Sequence, residues 1–376
     1  MNRVCIPFIT LLALSAFGQS PKIITTELQA PQRMILTQRG NFVVSETTTA
    51  INSGRLSFVT RGGSRRSLIE GLPSGTDVTG GGSGPTALAL RERTLYVAIG
   101  GCDIERRPDP TKPSIPNPAG ASTPLATSVL AIRFNLDVDT LSGTFTMTPA
   151  MQQTIADGDT VEISDGVGGS ASVSLLVDFP DSVPDASWLY RFSNPWGLAL
   201  TADGKTLYLN DASLNVLVRI DTATGRSTRI MRFPALQNPT PIGPPVVDAV
   251  PTSVRIYGNQ VLVSFLTGFP FTPGAARVLA INPEQRTSEP FMTLLNSVTD
   301  VLYRPKEGGR PQFFLLEFST NQLANPAAPG RLIRYDTADQ IVMAADLRGP
   351  VSLAFDESTN SVLVLELSGR ILEFKL

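Results

Sequence analysis

The chain reads as a six-bladed β-propeller of four-stranded antiparallel blades, its ring closed by an N-terminal strand pairing with the C-terminal blade. Three observations predict this. A unit of about fifty residues recurs. Each unit opens on a lead residue, proline in five of six, and continues as three short apolar strands. The two ends of the chain supply complementary pieces of one blade.

The unit is clearest from Asn194 to Asp221. Asn194-Pro195-Trp196-Gly197 turns into a first strand at 198–200, and Asp203-Gly204 is a two-residue hairpin signal. In the second strand Leu207 and Leu209 share one face, while Tyr208 and Asn210 share the other. The third strand is 216–220. The same order appears behind Pro31 (34–36, 42–46, 55–59), Pro85 (87–90, 94–97, 129–132), Pro251 (253–256, 261–263, 277–281), Val298 (300–302, 313–317, 331–335) and Pro350 (352–355, 362–366, 370–374). The leads are 54, 110, 56, 47 and 52 residues apart, and the 110-residue gap is one unit with two insertions.

A fourth, outer strand is expected at 67–69, 172–179, 228–233, 290–294 and 341–345. The last unit has no such strand, because its third one reaches the C-terminus. Residues 23–28 form an orphan strand before the first unit, and pairing them with 370–375 closes the ring. The first insertion, 103–126 with six prolines, joins strands two and three and belongs on the face where first strands begin. It is either a lid or a floppy insertion, and is expected to be poorly packed and removable. The second, 139–169, joins strands three and four and is expected on the opposite face, with an extra strand at 160–163. A proline-rich connection, 235–250, returns to the first face.

Met1-Asn2-Arg3, an apolar run from 4 to 17 and the small residues Ala16 and Gly18 read as a secretory signal peptide of residues 1–18. Residues 19–376 then form one propeller domain, exported to the periplasm or outside the cell. No later run is long enough for a membrane anchor. A net charge of −2 without basic stripes argues against nucleic acid and anionic membranes. The chain has no histidine, which removes Ser-His-Asp and Cys-His catalysis, His-held metal and an imidazole base. Only Cys102 follows the leader, so no internal disulfide forms, and no neighbouring base activates its thiol. Gly197 to Lys205-Thr206 has the wrong glycine spacing for a phosphate loop and falls in a strand turn.

Asn194-Pro-Trp-Gly-Leu-Ala-Leu, Asn210-Asp211-Ala-Ser-Leu-Asn-Val-Leu-Val-Arg, Val250-Pro-Thr-Ser-Val, Leu266-Thr-Gly-Phe-Pro-Phe-Thr-Pro-Gly-Ala-Ala-Arg-Val and Val298-Thr-Asp-Val resemble the ScyD/ScyE family. That family is found beside genes for the indole-phenolic sunscreen scytonemin. The resemblance runs from about Pro31 to the C-terminus and is most specific from Asn194 to Tyr335. It implies an exported propeller related to NHL repeats, and no defined activity.

Aligning the second strands places Glu46, Ile99, Asp211, Phe265, Glu317 and Glu366 at one position, where the strand returns to the first face. The four carboxylates allow two readings. They form a ring that binds Ca²⁺, a cationic group or sugar hydroxyls, or each one accepts backbone N–H groups of its own loop. Asn194 and Asp300 sit at first-strand entries, where lactonase-like propellers place calcium ligands; the alternative is a turn-forming Asn and a strand-entry Asp. Trp196, Phe269 and Phe271 either stack a flat ring in a first-face pocket or pack blades together.

Two functions compete. One is a non-catalytic exported propeller of the ScyD/ScyE type, monomeric and without a cofactor, binding a small molecule or protein partner on the first face. The other is a Ca²⁺-dependent lactonase or hydrolase using a metal-activated water. A quinone-dependent sugar dehydrogenase is disfavoured by the missing histidine. Carboxylates and amides converging on the axis would separate enzyme from binding protein.

Overall fold

The computed structural model describes residues 20–109, 112–183, 190–305, 311–336 and 339–376. They form a six-bladed β-propeller. The inner strands are Pro31–Leu36, Pro85–Arg91, Pro195–Leu200, Pro251–Tyr257, Val298–Arg304 and Pro350–Asp356, and each packs against the next around the ring.

The alternation of side chains sets the packing. Along Phe42–Glu46 every residue is buried, with Val43 in the gap towards blade 2 and Phe42 and Val44 in the gap towards blade 6. Each blade is therefore apolar on both faces. The buried side chains fall into six clusters, one per gap between neighbouring blades. Each fully buried Leu or Val contributes about 1.5–3 kcal/mol.

Ring closure follows the expected pairing. Lys22–Thr25 runs antiparallel to Ile371–Lys375, with Lys22 opposite Glu373 and Ile23 opposite Leu372. The pairing is shorter than the 23–28 run, because the chain bends after Thr25; Leu28 N–H still reaches Gly369 O at 3.2 Å. Arg61 of blade 1 adds a charged clasp, with Nη2 3.0 Å from Asp356 Oδ2 and 2.5 Å from Glu373 Oε1.

Two expectations are corrected in blade 2. The first insertion is packed, not loose. Glu105–Arg106 pairs with Ile115–Pro116, Asn117 N–H donates to Ile104 O, and Cys102, Ile104, Leu125 and Ala126 enter the gap between blades 1 and 2. Apolar residues at both ends of the loop anchor it despite its prolines. The second insertion is not confined to the opposite face. Asp139 first caps the 37–41 turn of blade 1, accepting from Thr37 Oγ1 (2.7 Å), Asn41 Nδ2 (2.8 Å) and Arg39 N (3.1 Å). Phe145–Thr146 then adds a parallel fifth strand to blade 1. A helix follows, Pro149–Ala156, with Thr148 as its N-cap. Its buried Gln152 joins Gly71 O to Thr123 Oγ1 of the first insertion. Val161–Ser164, the extra strand expected at 160–163, covers the outer edge of blade 2. Blades 1 and 2 are thus five-stranded, with a short added strand covering part of the outer edge of each.

Candidate functional site

The aligned second-strand position is real in register. Glu46, Ile99, Asp211, Phe265, Glu317 and Glu366 each lie directly opposite the lead residue of their own blade, on the first face. The three glutamates share one pattern. Glu46 accepts from Gln29 N–H, Ser57 Oγ and Arg55 Nε (3.2 Å); Glu317 from Asn296 N–H (2.9 Å) and Arg331 Nε (2.8 Å); Glu366 from Arg348 N–H (2.7 Å) and Arg370 Nε (2.5 Å). In each case the N–H belongs to the residue two before the lead, and the arginine comes from the start of the third strand. The carboxylate thereby closes the entry turn and neutralises its neighbour.

Asp211 differs. It accepts N–H groups from Asn194 (3.1 Å), Ser213 (3.1 Å) and Leu214 (2.8 Å), but no guanidinium among the described residues. Burial raises its pKa to about 6 against those hydrogen bonds. In blade 4 the apolar Phe265 carries the stacked Arg277 guanidinium at 5.3 Å and the Phe233 edge at 4.8 Å.

Every inner strand carries a bulge after its lead residue, so Gln32, Thr86, Trp196, Thr252, Thr299 and Val351 each stand out of the ladder. Three of these are threonines that stitch neighbouring blades. Thr86 Oγ1 donates to Pro195 O (2.6 Å), Thr252 to Val298 O (2.8 Å) and Thr299 to Pro350 O (2.8 Å). Trp196 occupies that place in blade 3, half-buried. Gly197 beside it lets the blades approach, since a Cβ there would lie 3.0 Å from Thr252 O.

Asp300 is wholly buried. Its Oδ2 accepts from Arg33 Nη1 (3.2 Å), Arg255 Nη2 (2.5 Å) and Leu353 N–H (2.8 Å), and its Oδ1 from Arg255 Nε (3.0 Å). Arg33 also donates to Thr252 O (3.1 Å) and Val351 O (3.4 Å), and Arg255 to Leu353 O (2.8 Å). An inner strand has an unpaired edge facing the axis, and this trio satisfies those groups in blades 4 and 6. Burial alone would raise the Asp300 carboxyl, but Arg255 and Arg33 overrule it and hold the pKa below the usual range. Burial also lowers the Arg33 pKa, against the pull of Asp300. The cluster holds two positive charges and one negative, a poor environment for a cation. Arg33 and Arg255 were missed from the sequence; the signal was a charge within an otherwise apolar or small-residue inner strand.

Phe269 and Phe271 meet edge to face at 6.1 Å on the blade 4 loop. A short ladder braces that loop to the preceding connection: Leu266, Thr267 and Gly268 N–H donate to Val250, Ala249 and Asp248 O. Asn238 pins the connection through Ile242 O and Pro244 O, and Gly243 seats against the Phe269 ring. Phe269, Ile242 and Val246 are 49%, 50% and 43% exposed, an apolar shelf on the first face. Asn194 and Trp196 are half-buried at the blade 3 entry, and neither side chain makes a hydrogen bond among the described residues.

Among the described residues no three His, Cys, Asp or Glu side chains group as a metal site. Cys102 is buried and its thiol is pushed up to about 12 by desolvation, which leaves it unreactive. Glu105, another residue the sequence did not single out, is buried in the first insertion and accepts from Ser114 Oγ and Arg191 N–H; burial raises its pKa.

No protein-family model matches this chain, and no curated protein matches it in sequence. Solved structures do match. The chain is similar to a glucose dehydrogenase, with a TM-score of 0.54 and 12% identity over 95% of this chain and 100% of that one. It is similar to a protein of unknown function from Bacteroides thetaiotaomicron, with a TM-score of 0.52 and 10% identity over 95% of this chain and 72% of that one. It is also similar to an auxiliary nutrient binding protein from the same organism, with a TM-score of 0.50 and 7% identity over 93% and 69% of the two chains. At such identities the shared property is the propeller fold.

Proposed function

We propose that this chain is an exported, non-catalytic binding propeller of the ScyD/ScyE type, which takes a small molecule or a protein partner on its first face after loss of residues 1–18. One observation carries the reading. Each singled-out carboxylate is already spent on N–H or guanidinium groups, whereas among the described residues Asn194 and Trp196 keep unused hydrogen-bonding groups at the blade 3 entry. The apolar shelf of Phe269, Ile242 and Val246 adds an uncharged surface on the same face. A Ca²⁺-activated hydrolase would need carboxylates free to take the ion. The indole-phenolic compounds named by the family resemblance fit a site of aromatic and amide groups, and the protein acts as a monomer without a cofactor.

The test is a titration of residues 19–376 with scytonemin and its indole-phenol monomer, followed by tryptophan fluorescence. Saturable quenching that Trp196→Phe, Asn194→Ala or Phe269→Ala weakens supports the reading. Lactone hydrolysis that Ca²⁺ restores after chelation would replace it with the enzyme reading.

A further inference from the structure

We propose that the first face carries a second, separate site, a groove between blades 5 and 6 that binds a small aromatic monoanion. The groove is open to solvent and offers about 660 Å³. It lies apart from the blade 3 entry and the blade 4 shelf, so it does not rest on the function proposed for them.

The groove is built from the sequence upward. Gly349 takes a positive φ of 63° in the short connection that enters blade 6. Its missing Cβ leaves room for a ring: a Cβ there would lie 3.1 Å from Phe318 and 3.4 Å from Leu367 Cβ. Phe318 therefore seats on Gly349 and, with Leu367, gives the groove an apolar floor that Leu347 and Pro329 also line. Leu367 N–H donates to Gly349 O at 2.7 Å, which fixes the two turns together. Leu367 is 37% exposed, an apolar side chain that the fold leaves uncovered. The blade 5 loop is closed on itself, with Thr320 N–H to Pro329 O, Ala328 N–H to Asn321 O and Ser319 Oγ to Ala328 O, so the wall exists before any ligand arrives.

The rim supplies the charge. Glu366 lies behind it and accepts from Arg348 N–H and Ser368 Oγ, while Arg370 neutralises its carboxylate. Asp346, also on the rim, acts on Arg370, whose pKa rises through its hydrogen bond to Glu366 and the nearby Asp346 charge. The exposed Arg348 guanidinium has no hydrogen bond or ion pair among the described residues. A preformed apolar floor beside one unspent guanidinium suits a ring system carrying a single carboxylate or sulfonate, placed against Arg348 and away from the Asp346 carboxylate. Glu366 is a positioning residue here, since it orients the Arg348 backbone and touches no ligand.

The experiment uses residues 19–376 with two probes, the anionic 8-anilinonaphthalene-1-sulfonate and the neutral N-phenyl-1-naphthylamine. The native protein should bind one equivalent of the anion with a saturable fluorescence rise, and the neutral probe more weakly. Arg348→Gln should weaken the anion about tenfold, the worth of a charge-assisted hydrogen bond, with an unchanged melting temperature because the side chain is exposed. Arg348→Lys should keep part of the affinity, and Leu367→Asp should abolish it. Equal affinity for both probes, an Arg348→Gln variant that binds like the parent, or loss of binding in Phe269→Ala instead would each overturn the proposal. So would absence of saturable binding.

Discussion

Arg33 of blade 1 and Asp300 of blade 5 meet on the propeller axis, Nη1 3.2 Å from Oδ2, although 267 residues separate them in the chain. With Arg255 they tie three blades together and satisfy backbone groups of inner strands that have no further strand to pair with. Removing the anion leaves the buried Arg33 guanidinium unpaired beside the half-buried Arg255. Asp300→Ala should therefore cost about 3–5 kcal/mol, read from urea unfolding of the mature chain. The linkage has a sign. The folded pKa of Asp300 lies below its unfolded value, so its contribution is present above the unfolded pKa and is lost as pH falls through the folded one. An Asp300→Ala variant as stable as the parent would show that the trio contributes little.

Asp211 should behave in the opposite way. Its pKa is raised to about 6 by burial, so between about pH 6 and the ordinary Asp value near 4 the folded state holds a proton that the unfolded chain has released. The stability from this group is present below that window and is lost as pH rises through about 6. Asp211→Asn should give a flatter dependence of melting temperature on pH from 4.5 to 7. Superimposable pH profiles for parent and variant would contradict the assignment.

Deleting residues 22–28 should strip the partner from Ile371–Lys375 and remove the Lys22 and Leu28 contacts with the last blade. The exposed edge should aggregate, with a sharp fall in melting temperature. Arg61→Ala should weaken the same closure less, since Lys22–Thr25 still pairs. A deletion variant that melts like the intact mature chain would rule out closure by this strand.

Glu46, Glu317 and Glu366 each serve their own blade, so their effects should be independent. Single changes to Ala should destabilise by roughly 1–3 kcal/mol each for the donors left behind. The double variants should add, because the sites share no partners. Each unpaired arginine also loses its neutralising charge, which places the losses towards the upper end. Adding Ca²⁺ should not shift the melting temperature of the native protein. A calcium-dependent shift that any one of these variants abolishes would instead mark a shared cation site.

The number of blades, the closing strand and the common position of the carboxylates were legible in the sequence. They depend on period-two alternation and on lead residues such as Pro31 and Pro350, and both are local properties that antiparallel pairing converts directly into register. Periodicity states which face of a strand is buried, but not what its polar atoms meet. Tertiary structure alone decided that Glu46 is held by Arg55 and Ser57, that Asp300 lies between Arg33 and Arg255, and that Gln152 links the two insertions of blade 2. The first of these is set by neighbouring strands within one blade. The other two depend on how whole blades are rotated about the axis and on where a long insertion finds a free strand edge. Those quantities follow from packing summed over the ring, and no short stretch of residues encodes them.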